Sequence, residues 1–294
     1  MSDNRCIDDL VKVHVIGTGS FGSRRSFNPC FVIEYDGEFT MVDFTSNLNF
    51  ALAEYRLISG EDLHIENINQ GCVNHIHTDH SGGTVDMAIQ KFYVEMRRDK
   101  ERFKLFAPKP VLDACWNHVI KGTLQKTFKE TEPEYKTRNV RFEDVFNPVY
   151  LTPGKPAKIG NLEVTAKECT HAVVGGAFAY KFQCGELSIG YSGDTVPSVE
   201  VLDFLEYCDM IIHEAGGAPI SGHTPVEFLV SRASDVASKL YLTHYPDTLS
   251  NDEEKLHCNL LRAGHCYVVR RQGVCQEQSL TDIGKRLLEI RDKI

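Results

Sequence analysis

Four potential metal ligands stand in the six-residue run His75-Ile-His77-Thr-Asp79-His80, and no other feature narrows the fold and chemistry of this chain as much. A regular helix or strand would point side chains so closely spaced in diverging directions. The run therefore reads as a loop curled around a metal centre. Imidazole and carboxylate together suit zinc, manganese or iron(II) better than calcium. A lone histidine is more often a packed or surface residue, and His14, His64, His118, His257 and His265 are read that way. The run follows a short strand, Gly71-Cys-Val-Asn74, and precedes Gly82-Gly83. A helix is expected next, with Val85, Ile89, Phe92, Tyr93 and Met96 on one face.

The flanking sequence alternates strand and helix patterns. Val11-Lys-Val-His-Val-Ile16 reads as a strand running into Gly17-Thr-Gly-Ser-Phe-Gly22. No amphipathic helix follows that glycine-rich turn, so a dinucleotide site is set aside. Cys30–Tyr35 and Glu38–Asp43 flank Asp36-Gly37, a strong hairpin signal. Further strands are expected at 103–107, 162–166, 177–182, 187–191, 209–212, 239–243 and 266–270, and helices at 111–120, 199–205, 225–237 and 279–292. Residues of about 97–147 read as a helical, mobile excursion, and Arg97, Arg98, Lys100 and Arg102 as a solvated helix end. Without repeats or linkers, residues 1–294 are expected to form one domain, an α/β αββα sandwich.

Composition excludes several classes. The chain is 42% hydrophobic and 25% charged, enough to bury a core. Its net charge of −9 argues against a long nucleic acid held on the general surface. It does not argue against a small anion, because bound metal reverses the local potential. The ten cysteines form no CxxC pair, and no apolar run is long enough for a signal core or a membrane span. Reduced thiols in a cytoplasmic protein are expected.

The HxHxDH run after a strand and before a glycine-led helix resembles the signature of the metallo-β-lactamase superfamily. The resemblance continues in order through Thr170-His171, Tyr191-Ser-Gly-Asp194 and Leu242-Thr-His244. It implies two divalent ions, zinc foremost, with manganese or iron as alternatives. His75, His77 and His171 would hold one, Asp79, His80 and His244 the other, and Asp194 would bridge. An aspartate bridge, where the lactamases proper have cysteine, is typical of members acting on phosphoesters or thioesters. Such ions activate water and neutralise phosphate charge.

Met210-Ile-Ile-His213-Glu214-Ala215 and Ser221-Gly-His223-Thr-Pro225 resemble two elements of the tRNase Z branch. The resemblance implies that Glu214 orients His223, which protonates the leaving oxygen, with Asp79 also counted among the catalytic groups. A plainer reading leaves His213 and His223 as caps of a strand and a helix. The exosite arm of that branch normally lies between the ligands matching His171 and Asp194, which here are only 23 positions apart. The armless layout is similar to anti-Pycsar cyclic-nucleotide phosphodiesterases. It implies hydrolysis of a small anionic phosphodiester, a cyclic mononucleotide foremost, by a homodimer away from membranes. A tRNase Z-like RNA endonuclease, a thioester or lactone hydrolase and an inactive binding module remain the alternatives.

Overall fold

The computed structural model describes residues 10–95, 101–128, 136–216, 222–232, 236–249, 258–271, 273–277 and 280–293. The expected N-terminal strands form β1 (Val11–Gly17), β2 (Cys30–Tyr35) and β3 (Glu38–Val42), paired antiparallel. Asp36 and Gly37 both take left-handed backbone, with φ 50° and 75°, as the two-residue turn between β2 and β3 requires. Parallel pairing adds β4 (Gln70–Cys72) and β5 (Lys104–Pro108). A small hairpin, β6 (Lys126–Phe128) with β7 (Thr137–Asn139), stands apart before β8 (Asn147–Leu151) pairs with β5.

The chain then builds a second sheet from β9 (Ala157–Ile159), β10 (Leu162–Cys169), β11 (Ala177–Cys184), β12 (Leu187–Tyr191), β13 (Met210–Glu214), β14 (Leu240–Thr243) and β15 (Asn259–Leu260). It returns through β16 (Cys266–Arg270) and β17 (Gly273–Glu277) to the far edge of the first sheet. The orders are β17-β16-β1-β2-β3-β4-β5-β8 and β15-β14-β13-β12-β11-β10-β9.

Side-chain alternation stacks these sheets into layers. On β13, Met210 and Ile212 join the large core shared with the first sheet, whereas Ile211 joins a second cluster with Val201, Leu205 and Leu229. The period-2 pattern of the strand thus feeds two apolar interfaces. Helices α1 (Leu48–Ser59), α2 (Thr78–Ser81), α3 (Thr84–Ile89), α4 (Lys109–Ala114) and the single turns α5 (Lys121–Leu124) and α6 (Phe142–Val145) belong to the first half. α7 (Val199–Leu205) and α8 (Val226–Arg232) supply the second cluster, and α9 (Asp282–Arg291) packs on α1. No described helix is long and apolar enough to cross a membrane, and the cysteines that the described residues include are free thiols.

Three expectations need correction. The region 97–147 is not an excursion as a whole. Its β5 lies inside the first sheet, and Phe103, Leu105 and Phe106 are fully buried. The helix after Gly83 does not keep one apolar face, because it turns π-helical over Gln90–Val94. Met87 and Ala88 are buried, Ile89 is 37% exposed, and Met96 lies outside the described residues. Lys91 turns inward because Ile65 O, Glu66 O and the Glu95 carboxylate satisfy its ammonium. Of the helix expected at 225–237, α8 holds 226–232 and residues 233–235 lie outside the described residues, but its expected end at Ala237 is a 3-10 turn, Ala237–Lys239. Arg97, Arg98, Lys100, Ser221 and His257 also fall outside the described residues.

Gly17 and Gly19 owe their place to packing. A Cβ on Gly17 would lie 2.2 Å from Asn28 O, and one on Gly19 2.4 Å from Ser23 Cβ. The turn is therefore pressed against the loop that follows it.

Candidate metal centre and active site

Strand ends and the loops beyond them bring the seven expected ligands together. His75, His77, Asp79 and His80 follow β4 and enter α2, and His171 follows β10. Asp194 follows β12 and His244 follows β14. Ligand atoms of His75, His77 and His171 form one group, and those of Asp79, His80, Asp194 and His244 another. Each group fits within 4.8 Å. Asp194 joins them, with Oδ1 3.2 Å from His80 Nε2 and Oδ2 3.8 Å from His75 Nε2 and 3.9 Å from His171 Nε2.

A shell of hydrogen bonds decides which nitrogen each ring presents. His75 Nδ1 is tied to Asn74 Oδ1 at 2.5 Å, His80 Nδ1 to Asp43 Oδ2 at 2.8 Å, and His171 Nδ1 to Gly222 O at 3.0 Å. Each of the three rings is left with Nε2 facing the cluster. His77 is reversed: its Nδ1 lies 3.0 Å from His75 Nε2 and 3.1 Å from His171 Nε2. Such outer partners set tautomer and orientation at metal centres.

Sequence reasoning missed this shell. Asp43 is fully buried and accepts from His80, from Tyr191 Oη at 2.6 Å and from the Asn74 amide at 2.7 Å. Asp43 and His244 both hold left-handed backbone, at φ 56° and 55°, a strained conformation for residues with a Cβ. A carboxylate closing the apolar run of β3 was the available signal for Asp43. Asn74, directly before His75, was read only as a strand end.

Gly193 supports the same shell. Its φ is +56°, and an added Cβ would meet Asn74 Nδ2 at 1.6 Å. Gly193→Ala is expected to cost about 2–4 kcal/mol through strain and overpacking, and to displace Asn74 from His75. A lowered thermal midpoint together with reduced metal uptake checks this; a variant that kept both would rule out the tight contact.

The electrostatics fit divalent cations. Asp43, Asp79, Asp194 and Glu214 are at most 5% exposed, and their ion-pair partners among the described residues are all histidines. Burial opposes charge on His80, yet Asp194, Asp79 and Asp43 outweigh it and hold the ring well above its ordinary pKa. Burial, reinforced by the charge of His80, pushes His75 well below its ordinary value. His80 Nε2, Asp194 Oδ1 and His244 Nδ1 are buried without an aligned hydrogen bond. Convergent imidazole and carboxylate atoms with a surplus of buried negative charge are the donor set that such ions require.

Beside the cluster stand the remaining expected residues. Glu214 is fully buried, and its Oε1 accepts from the Thr224 amide at 2.7 Å and the Thr195 amide at 3.3 Å. Its Oε2 lies 3.4 Å from His223 Nδ1, an ion-pair distance without hydrogen-bond alignment. Glu214 raises the His223 ring above its ordinary pKa, and burial works against it. His223 also lies 3.8 Å from Asp194 and stacks on His244, which places it beside the ligand cluster. His213 points elsewhere. Its Nδ1 bonds Glu214 O at 2.8 Å, and burial lowers its pKa to about 4. His213 is thus a packed residue within β13. His14 is likewise a packed residue, held between Tyr55 Oη and Glu34 Oε2, each at 2.8 Å.

A cavity of about 400 Å³ opens over the cluster, lined by Phe21, Ile76, Thr78, His223 and the ligand-bearing loops. That volume falls in the range of small-molecule clefts, roughly 300–1,000 Å³.

Comparison with known proteins places the chain. Residues 11–267 match the family model described as anti-Pycsar protein Apyc1. The chain is 27% identical over 242 residues to an anti-Pycsar protein Apyc1 of Saccharibacillus brassicae, covering 81% of this chain and 90% of the relative. Among solved structures it is similar to the metallo-β-lactamase fold protein YhfI from Bacillus subtilis, with TM-score 0.67, 18% identity and coverage of 88% of this chain and 100% of that one. It is also similar to a diphosphatase from the PhnP family, with TM-score 0.63, 17% identity and coverage of 88% and 97%. The chain is a metal-dependent hydrolase of the metallo-β-lactamase fold and belongs to the anti-Pycsar protein Apyc1 family.

Proposed function

We propose that this metal-dependent phosphodiesterase hydrolyses a cyclic mononucleotide to the linear monophosphate, using two divalent ions, zinc foremost and manganese or iron as alternatives. The observation that carries the reading is His223 on the wall of the cavity that the histidine–aspartate cluster floors, backed by the buried Glu214. His75, His77 and His171 would hold one ion and Asp79, His80 and His244 the other, with Asp194 between them. When bound, the ions lower the pKa of water and neutralise charge on the phosphate.

The chain's own residues supply the rest. As the oxygen of a water that has given up one proton to solvent bonds to phosphorus, the bond from phosphorus to the leaving oxygen breaks, and that oxygen needs a proton. His223 provides it. Two backbone amides fix Glu214 Oε1, so Oε2 stays turned to His223 Nδ1, and Nε2 is the nitrogen left for the substrate. Glu214 holds the pKa of the ring above its ordinary value, which favours the protonated form that a donor needs.

Two features favour a small substrate over RNA. The interval between His171 and Asp194 is occupied by the β11–β12 hairpin, which leaves no length for an accessory arm. The net charge of −9 also disfavours a long polyanion. The test is a panel of purine and pyrimidine cyclic nucleotides with zinc- or manganese-loaded protein, product being read by chromatography. Linear monophosphate should appear, vanish on chelation and return when metal is restored. Cleavage of precursor tRNA with every cyclic nucleotide left intact would overturn the reading.

A further inference from the structure

Among the described residues that line the metal cavity, only Phe21 and Ile76 have side chains of pure hydrocarbon. Phe21 is 74% exposed, an unusual setting for so large an apolar ring. It sits in a turn whose two ends are pinned. Ser20 N donates to Tyr245 O at 3.1 Å, and Ser23 N donates to Ser20 O at 2.9 Å. Asn28 Nδ2 donates to Ser20 O at 3.0 Å. Beyond the ring, Ser23 Oγ donates to Asp247 Oδ1 at 2.5 Å and Arg24 N to Asp247 Oδ2 at 3.0 Å.

The same loop is tied to the turn that carries His244. Thr18 Oγ1 donates to Tyr245 Oη at 3.1 Å, and Tyr245 N donates to Thr18 O at 3.3 Å. The turn that carries this exposed aromatic ring is therefore held in place relative to the histidine–aspartate cluster before any ligand arrives. Preorganisation of this kind removes an ordering cost from binding. A phosphodiester whose phosphate lies on the cluster must send its organic part toward the mouth of the cavity, where Phe21 stands.

We propose that Phe21 is the platform on which the substrate's base stacks, and thus the residue that selects base-bearing phosphodiesters over base-free ones. The inference rests on the phosphodiesterase reading above and adds the group that reads the base. Aromatic stacking tolerates any base, because every base has a π-face.

The experiment compares metal-loaded wild type, Phe21→Ala and Phe21→Trp on three substrates: cyclic AMP, thymidine 5′-(4-nitrophenyl phosphate) and base-free ribose 3′,5′-cyclic phosphate. Phe21→Ala should raise KM for the base-bearing diesters about tenfold or more, with kcat within about twofold of wild type. Its KM for the base-free diester should match wild type, and Phe21→Trp should restore the base-bearing values. Equal KM for wild type and Phe21→Ala on the base-bearing diesters would overturn the platform. Failure of the cyclic substrate is separable. Wild type inert toward every cyclic nucleotide of the panel but active on the thymidine diester refutes the cyclic-nucleotide reading, while the thymine base still tests Phe21.

Discussion

Replacing Asp194 by asparagine should abolish metal retention and lower kcat/KM by at least ~10³-fold, with the fold intact. The substitution keeps the volume and removes only the charge. Asp194 is 2% exposed and lies within 3.9 Å of ring nitrogens of His75, His80, His171, His223 and His244. Burial works against its ionisation, yet His244, His80 and His75 hold its carboxyl well below the usual carboxylate range. It is therefore an anion throughout the neutral range and, among the described residues, the one carboxylate that reaches both ligand groups. Metal stoichiometry by mass spectrometry and steady-state kinetics check the expectation. A variant that retained full metal and wild-type turnover would remove Asp194 from the centre.

The second large effect is expected at His223. His223→Ala should keep the metal and lower kcat by about 10²–10⁴-fold, the usual range for a general acid. The loss should shrink on a 4-nitrophenyl ester, whose leaving group departs without a proton, and grow on a diester with an alkoxide leaving group. Glu214→Gln should lie between wild type and His223→Ala. It leaves the ring in place but removes the charge that raises its pKa. The acidic limb of the pH–rate profile would be unchanged, and the basic limb would move to lower pH as the proton is lost sooner. Undiminished turnover of a cyclic nucleotide by His223→Ala would assign the proton to another donor.

Much of the fold was legible because strand patterns here are short and cleanly bounded. β1, the β2–β3 hairpin, β10 to β14 and β16 lie close to where alternation and turn residues put them. Helix α1 was not legible. Its buried residues Leu48, Ala51, Leu52, Tyr55 and Ile58 have helical spacing, but Phe50 and Leu57 are also apolar and stand 75% and 51% exposed. Apolar side chains on every face erase the period on which such a reading depends. The interior position of β5 was lost for a different reason. It is a five-residue strand amid charged sequence, and only its parallel neighbours β4 and β8 reveal that it is internal.

At the site, the histidines and aspartates that the structure gathers into the cluster could be named from the chain alone, Asp43 excepted. Histidine and aspartate in the HxHxDH run and its downstream partners have few other reasons to cluster in that order. Which atom each one presents was settled only by tertiary structure. Asn74, Asp43 and Gly222 O each occupy one nitrogen of a ring; Asn74 adjoins its partner His75, but Asp43 and Gly222 lie 37 and 51 positions from theirs. The left-handed backbone at Asp43 and His244, the space that Gly193 leaves for Asn74 and the placing of Phe21 over the cavity arose in the same way. Residue type sets what chemistry a side chain can perform. Its direction, tautomer and charge depend on neighbours that only the folded chain brings within a few ångströms.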